Sequence, residues 1–578
     1  MNRYLFAVLI LGLLPAGVPA NAQVPNVTPQ LPSPVLPRPI PTPDLPRPTP
    51  RSPPLDQSPQ LLLPSEPLES QDTIEVARFE YQGNTIVSDQ DLDAITAPFR
   101  GRRITFSELF KVRSAITQLY VDRGYITSAA LIPIEGNEAV EIQGGVVTIQ
   151  IIEGKLERID ITDSNYPNGG TASHRLAKYI RPRLETAANP ILNEKKLLEA
   201  LRLLQLDPLI LSISGKLESG SQTGLSVLTI NLEPAPTFRA AAELNNRRSP
   251  TVGTLERRVQ LTQANLLGLG DGLQIGYANT NGSNEVDIDY TIPVSLRNAT
   301  VSFRYSTLFS RVIEEPFDDF DIQGNSRIYE LTFRQPIIRT ATAQSFKEFA
   351  IGITASRLES DTSLLGVDFP LSAGADDSGK TRISALRVFQ EYTQRSNRQV
   401  LLVRSQFSFG LDVLGATTNS SPPDSRFFVW RGQVAFLQRL GSRPYLLLRS
   451  DLQLADRPLV PLEQFSIGGL STVRGYRQDA LLGDSGVVGS IELHYPAVST
   501  RTMELQLIPF LDVGYVWSNQ NIEFDRNTLA SLGLGVQWTW GNLIVNLSYG
   551  VPLIPIPRIG DTLQENGLNA SIKYIWAF

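Results

Sequence analysis

The chain has 578 residues, a formal charge of −6, no cysteine and two histidines, His174 and His494. Disulfides, thiolate metal sites and cysteine nucleophiles are excluded, and histidines so far apart do not suggest a metal centre. The mild acidity and the lack of a basic run exclude nucleic acid as an expected partner.

The chain begins MNRYLFAVLILGLLPAGVPANAQ. Arg3 precedes an apolar run from Leu5 to Leu14, and Ala20-Asn21-Ala22 places small residues where a signal peptidase reads them. This predicts a cleavable secretory signal over residues 1–22 and a mature start at Gln23. No later stretch offers the roughly 20 uncharged apolar residues of a spanning helix, so a closed β-barrel is the remaining way to cross a membrane.

Residues 23–70 form a proline-rich linker, as in LPSPVLPRPIPTPDLPRPTP. Proline fixes φ and removes the backbone donor, so the tract is expected to be a stiff, extended tether that builds no core. A compact pattern follows over residues 71–154. Ile74–Tyr81 alternates like a strand, and Gly83-Asn84 turns the chain. Ser88 with Asp91, and Thr105 with Glu108, are helix-start signals. Leu109, Val112, Ile116, Leu119 and Tyr120 make one buried stripe, Gly124 closes the helix, and strands are expected over Ile126–Ile132 and Val146–Ile152. The order β-α-α-β-β then repeats over residues 155–234. Its strands are Leu156–Ile161, Ile210–Leu217 and Leu225–Leu232, and its helices are His174–Leu184 and Asn193–Leu206, with ETAANP as a loop between them. His174 is expected to be solvated.

From residue 235 to 578 helical periodicity fades and segments of about ten residues alternate apolar with polar. The last is the clearest, with Leu568, Ala570, Ile572, Tyr574, Trp576 and Phe578 on one face and Asn569, Ser571 and Lys573 on the other. The length of the helix-free run, aromatics at strand ends and a terminal phenylalanine favour a membrane barrel of about 16 antiparallel strands over a soluble sandwich. The fold class is therefore α+β repeats followed by an all-β transmembrane barrel.

A long gap at about residues 455–485 interrupts the strands with PLEQFSIGGLSTVRGYRQDALLGDSG. Its apolar residues Phe465, Ile467, Leu470, Val473 and Tyr476 need cover, which folding back into the barrel lumen supplies. Arg474 then needs a carboxylate. In QLIPFLDVGYVW, Leu507, Leu511, Val513, Tyr515 and Trp517 face lipid, so Phe510, Asp512 and Gly514 face the lumen. Asp512 is the expected partner, gripped by the planar fork of Arg474, with Gly514 leaving space beside it.

VRGY in a long loop followed by FLDVG on a later strand resembles the two-partner secretion transporters (TpsB, haemolysin-activator type) of the BamA-like barrel superfamily. YVDRGYITSAALIP (Tyr120–Pro133) is similar to the helix-to-strand segment of that family's first POTRA domain, and NLLGLGDGLQIGY (Asn265–Tyr277) to its early barrel strands. The resemblance implies two periplasmic POTRA domains, a lumenal Arg474–Asp512 salt bridge, Gly475 and Tyr476 shaping the loop tip beside Val473, and Phe578 as the signal read by the barrel assembly machinery. It implies export of a large TpsA-like exoprotein across the outer membrane, with outer-membrane lipid around the barrel. Where the family often carries a pore-plugging helix, this chain has the proline tract, and no such helix is legible.

GLGDG (Gly268–Gly272) lacks the lysine and helix of a phosphate loop and reads as a tight turn. RVIEEPFDDFD, with Glu314, Glu315, Asp318, Asp319 and Asp321, reads as a solvated acidic loop. No catalytic motif, cofactor site or metal site is expected. An outer-membrane protein assembly factor and a loop-constricted solute porin stand as alternative functions.

Overall fold

The computed structural model describes residues 55–56, 73–133, 145–163, 171–520 and 526–578. The expected signal, nearly all of the proline tract, any plug helix and the side chain of His174 lie outside the described residues.

Local signals set the first module. The Ser88 side chain caps the helix Asp89–Thr96 by accepting from the Asp91 N–H, and Thr105 with Glu108 closes a reciprocal capping box at Phe106–Asp122. Leu109, Val112, Ile116 and Tyr120 recur at helical spacing and are all within 1% of full burial. They pack against a sheet ordered Arg78–Gln82, Val146–Ile152, Ala129–Leu131. Gly124 ends the helix at φ +93°, a conformation that costs a residue without Cβ little. The third of these strands is shorter than expected, because Ser128 N–H turns back to Tyr125 O.

The second module repeats the pattern with helices Thr171–Ala188 and Glu194–Gln205. Its first helix runs on through Glu185–Ala188, expected as loop. Those residues are helix-competent, and the break comes only at Asn189, which precedes Pro190. The sheet is ordered Leu55–Asp56, Ile210–Ser219, Leu225–Pro234, Lys155–Asp163. Its outermost strand corrects the reading of residues 23–70 as a tether that builds no core. Leu55 is 2% exposed within the apolar cluster of this module. The two modules meet where Asn193 caps the later helix and donates to Arg123 O, while Glu194 N–H bonds Gly124 O.

Three residues after the second module the chain enters a closed antiparallel barrel. Sixteen strands run around it, with a two-residue extension at Val367–Asp368. The seam pairs Phe238–Asn245 with Leu568–Ala577, and Phe238 and Phe578 exchange backbone bonds of 3.3 and 2.9 Å. Closure leaves no strand edge to satisfy, which is what lets strands cross lipid. Outward positions carry Leu331, Phe333, Ile353, Leu511, Val513 and Leu534, all exposed, an apolar belt that a water-soluble fold would bury. Inward positions carry charge: Arg258 bridges Glu256, Glu285 and Asp287, and Arg334 bridges Glu348 and Glu391.

The second module docks on the turns at the near end of the barrel. The Arg183 guanidinium stacks on Tyr179 at 3.7 Å and donates to Asn298, and a Cβ at Gly270 would strike the Tyr179 ring. GLGDG is thus the expected turn, and it is also the surface against which that helix rests. Strand Tyr445–Ala455 leads to the far end, so residues 456–484 depart from the mouth remote from the two modules and fold back inside.

Candidate functional site

Residues 456–484 form a hairpin of their own, with Phe465–Ile467 pairing antiparallel to Leu481–Gly483. Phe465, Ile467, Val473 and Tyr476 are buried against Val488, Val516 and Leu529 of the wall. These apolar residues hold the strands of the hairpin in place and bring its tip to the strand Met503–Trp517. That strand alternates strictly over its middle: Leu511, Val513 and Tyr515 are exposed, while Phe510, Asp512, Gly514 and Val516 are buried.

Arg474 meets Asp512 in a side-on fork, Nε to Oδ2 at 2.7 Å and Nη2 to Oδ1 at 2.8 Å. Its backbone N–H adds a third bond to Oδ2 at 3.1 Å. Asp512 is completely buried. The guanidinium lies 3.6 Å over the Phe510 ring, whose negative face favours a cation. The ring in turn occupies the space left by Gly533, where a Cβ would fall 2.2 Å from it.

Sequence reasoning missed the second carboxylate. Arg474 Nη2 also lies 3.0 Å from Glu492 Oε1 and 3.2 Å from Ser490 Oγ. Glu492 binds Arg449 as well, and its other oxygen is 2.8 Å from His494 Nε2. His494 Nδ1 reaches the Tyr445 hydroxyl at 2.9 Å, and the two rings stack. Glu492 and His494 lie two apart on one strand, Ser485–Ser499, and so face the same side as Ser490. That period was the available signal.

Gly475 adopts φ +92°, and a Cβ there would fall 2.8 Å from Gly550 O. Backbone therefore touches backbone between tip and wall. The Tyr476 hydroxyl lies 2.7 Å from Ala530 O and 2.8 Å from Ile554 O, joining the tip to two wall segments. Gly514 does leave space, but Val473 and Ile467 fill it rather than Arg474.

The next arginine corrects another expectation. Arg477 binds Glu314 at 2.8 Å and Glu565 at 3.2 Å. Glu314 is thus an anchor for the hairpin rather than part of a solvated loop; its partner is 163 residues away and leaves no trace in local sequence. At the root of the hairpin Glu463 is gripped by Arg387 on the wall strand Lys380–Ser396 at 3.1 and 2.5 Å, both residues nearly fully buried. Phe578 stands apart from this site, 71% exposed at the barrel seam.

The geometry describes a charge-lined barrel lumen with a hairpin anchored against its wall. No cluster of metal-ligating side chains occurs among the described residues.

Comparison with known proteins gives the same picture. Residues 224–538 match the sequence model for the haemolysin secretion/activation proteins ShlB/FhaC/HecB, and residues 74–154 match the ShlB-type POTRA domain. The chain is 22% identical over 483 residues to the outer membrane transporter CdiB of Dickeya dadantii, spanning 82% of this chain and 79% of that protein. It is 22% identical over 512 residues to the heme/hemopexin transporter protein HuxB of Haemophilus influenzae, spanning 82% of each. It is 23% identical over 444 residues to the hemolysin transporter protein ShlB of Serratia marcescens, spanning 75% of this chain and 74% of that one. The fold matches CdiB from Escherichia coli with a TM-score of 0.65 at 19% identity, covering 90% of this chain and 94% of that one. The barrel thus stands in the outer membrane, with POTRA modules in the periplasm. The chain belongs to the ShlB/FhaC/HecB haemolysin secretion/activation family, the outer-membrane transporters of two-partner secretion.

Proposed function

We propose that the chain carries a large TpsA-like exoprotein to the cell surface as an extended polypeptide, received by the POTRA domains through strand addition and passed through the barrel lumen. The observation that carries this reading is the buried hairpin, tied by Arg474 to Asp512 and Glu492 inside a closed, charge-lined barrel. A conduit filled by an anchored segment suits a client admitted by displacement better than free diffusion of solutes. Strand addition draws affinity from main-chain bonds and needs little side-chain identity, which suits an unfolded client. Folding of the client outside the cell supplies the drive. Val473, Gly475 and Tyr476 position the tip, and Phe510, Asp512 and Gly514 form its seat. Phe578 serves the assembly machinery as an exposed terminal aromatic.

Deleting the protein and comparing the proteomes of medium and outer membrane tests the reading. Loss of one or a few proteins from the medium is expected. A broad fall in outer-membrane proteins would instead indicate an assembly factor, and an unchanged medium with altered solute uptake a porin.

A further inference from the structure

We propose that the periplasmic rim of the barrel is a binding surface for anionic phospholipid headgroups of the inner leaflet, built from cations in and beside the turns that join the strands.

Seven turns connect barrel strands at the mouth that faces the two modules. Arg297 lies in turn 294–299, Arg398 in turn 397–398, Arg443 in turn 440–444 and Arg501 in turn 500–502, while Lys347 follows turn 342–344. The five belong to consecutive turns, and all five are exposed. None of them has an ion-pair partner among the described residues. The carboxylate found in these turns, Asp271, is buried and occupied by the Leu267 N–H and the Tyr290 hydroxyl. Its turn, 265–271, lies under the helix Thr171–Ala188, which adds Arg175 and Lys178, three residues apart and both exposed. The far rim does not share this bias. Exposed Arg311 and Arg426 are paired there with Asp321 and Asp424, and Glu315, Asp319 and Asp377 are exposed beside them.

The cations also stand at a defined depth. Val294 and Leu296 share the turn of Arg297, Leu440 the turn of Arg443, and Tyr495 precedes Arg501 on the adjoining strand; all four are exposed. Trp540, exposed as well, lies opposite Met503, two residues from Arg501. The lipid-facing belt therefore runs up to these turns, and tryptophan marks the boundary between hydrocarbon and headgroups. A long cationic side chain rooted at that boundary keeps its stem on apolar surface and its charge in the phosphate layer.

Charge complementarity names the occupant. A guanidinium matches phosphate geometry, and a headgroup that carries no cation of its own gains most from the contact. Anionic headgroups gathered along this arc, with Arg175 and Lys178 continuing it onto the docked helix, hold the receiving mouth at one level in the leaflet. The attraction acts within a Debye length of the surface and weakens with salt.

The full-length protein in vesicles of equal parts phosphatidylethanolamine and phosphatidylglycerol tests this, with bromine on the acyl chains of one lipid or the other. Quenching of tryptophan fluorescence then reads which lipid lines the barrel, since Trp540 and Trp576 are exposed at this rim. Both leaflets have the same composition, so the direction of insertion does not enter. Stronger quenching by brominated phosphatidylglycerol is expected, falling towards equality as salt is raised. Arg297→Gln, Lys347→Gln, Arg398→Gln, Arg443→Gln and Arg501→Gln combined should lose the preference, with heat-modifiable migration on gels confirming a folded barrel. Lysine at the four arginine positions should retain it. Equal quenching by the two lipids in the wild type, a preference indifferent to salt, or one undiminished in the glutamine variant overturns the proposal.

Discussion

Arg474 spends its donors on two carboxylates and a hydroxyl while its face rests on Phe510, so the planar fork matters as much as the charge. Arg474→Lys keeps a cation but loses the paired geometry, and hydrogen bonds to charged groups are worth about 1.5–3 kcal/mol. Reduced export is expected, with thermal unfolding of the purified barrel shifted down; an unshifted transition would show that the fork is dispensable. Gly475→Ala is a separate test of the tip. The new methyl would meet Gly550 O at 2.8 Å from a backbone that L-residues rarely adopt. The hairpin should then be cut by external protease at a rate that leaves the barrel strands intact, and resistance equal to wild type would contradict the close backbone packing described.

At the level of elements, the hairpin is held at its root as well as at its tip. Glu463 and Arg387 are 3% and 4% exposed, and breaking a buried pair by removing one partner costs about 3–5 kcal/mol. Glu463→Ala should therefore loosen the root while Arg474 keeps the tip, giving faster hydrogen exchange over residues 456–467 with little change at 473–476. The first POTRA domain has its own titratable anchor. Burial alone would raise the Glu153 carboxyl, but Thr85 and the N–H groups of Thr85 and Ile86, with the Tyr120 hydroxyl, hold it below the usual carboxylate range. A lowered folded value means the stabilisation is full above the ordinary glutamate value of about 4.3 and is lost as pH falls from there through the lower folded value. Protection against hydrogen exchange in this domain, corrected for the pH dependence of intrinsic exchange, should fall below that pH, and Glu153→Gln should flatten the dependence. What could be read from sequence follows the same division. Caps and alternation rest on short periods that local sequence carries, and alternation places Asp512 on the lumenal face; joining it to Arg474, 38 residues away, leaned on the resemblance of VRGY and FLDVG to the family. Glu492, the grip of Glu314 on Arg477 and the Arg387–Glu463 pair depend on which strands the closed barrel sets side by side. Leu55 escaped because its proline-rich neighbours mask a single core residue.

Across the described residues, an apolar belt lies outside and charged rows inside, and the hairpin of residues 456–484 folds into the lumen between them. Its contacts reach the strands Ser485–Ser499, Met503–Trp517 and Thr528–Trp540 and the segments around Glu314 and Glu565, so the plug couples distant parts of the barrel rim. The POTRA modules stand at the opposite mouth, the second of them fixed to the barrel turns by Arg183 and Tyr179. The claim on which this depends is that anchoring of the hairpin by Arg474 and Asp512 is required for export. Release of the deletion-sensitive proteins into the medium, measured for Arg474→Ala and for Asp512→Ala with barrel levels in the outer membrane matched to wild type, tests it most directly. The account predicts that both variants lose export while the barrel remains assembled; wild-type export by both would contradict it.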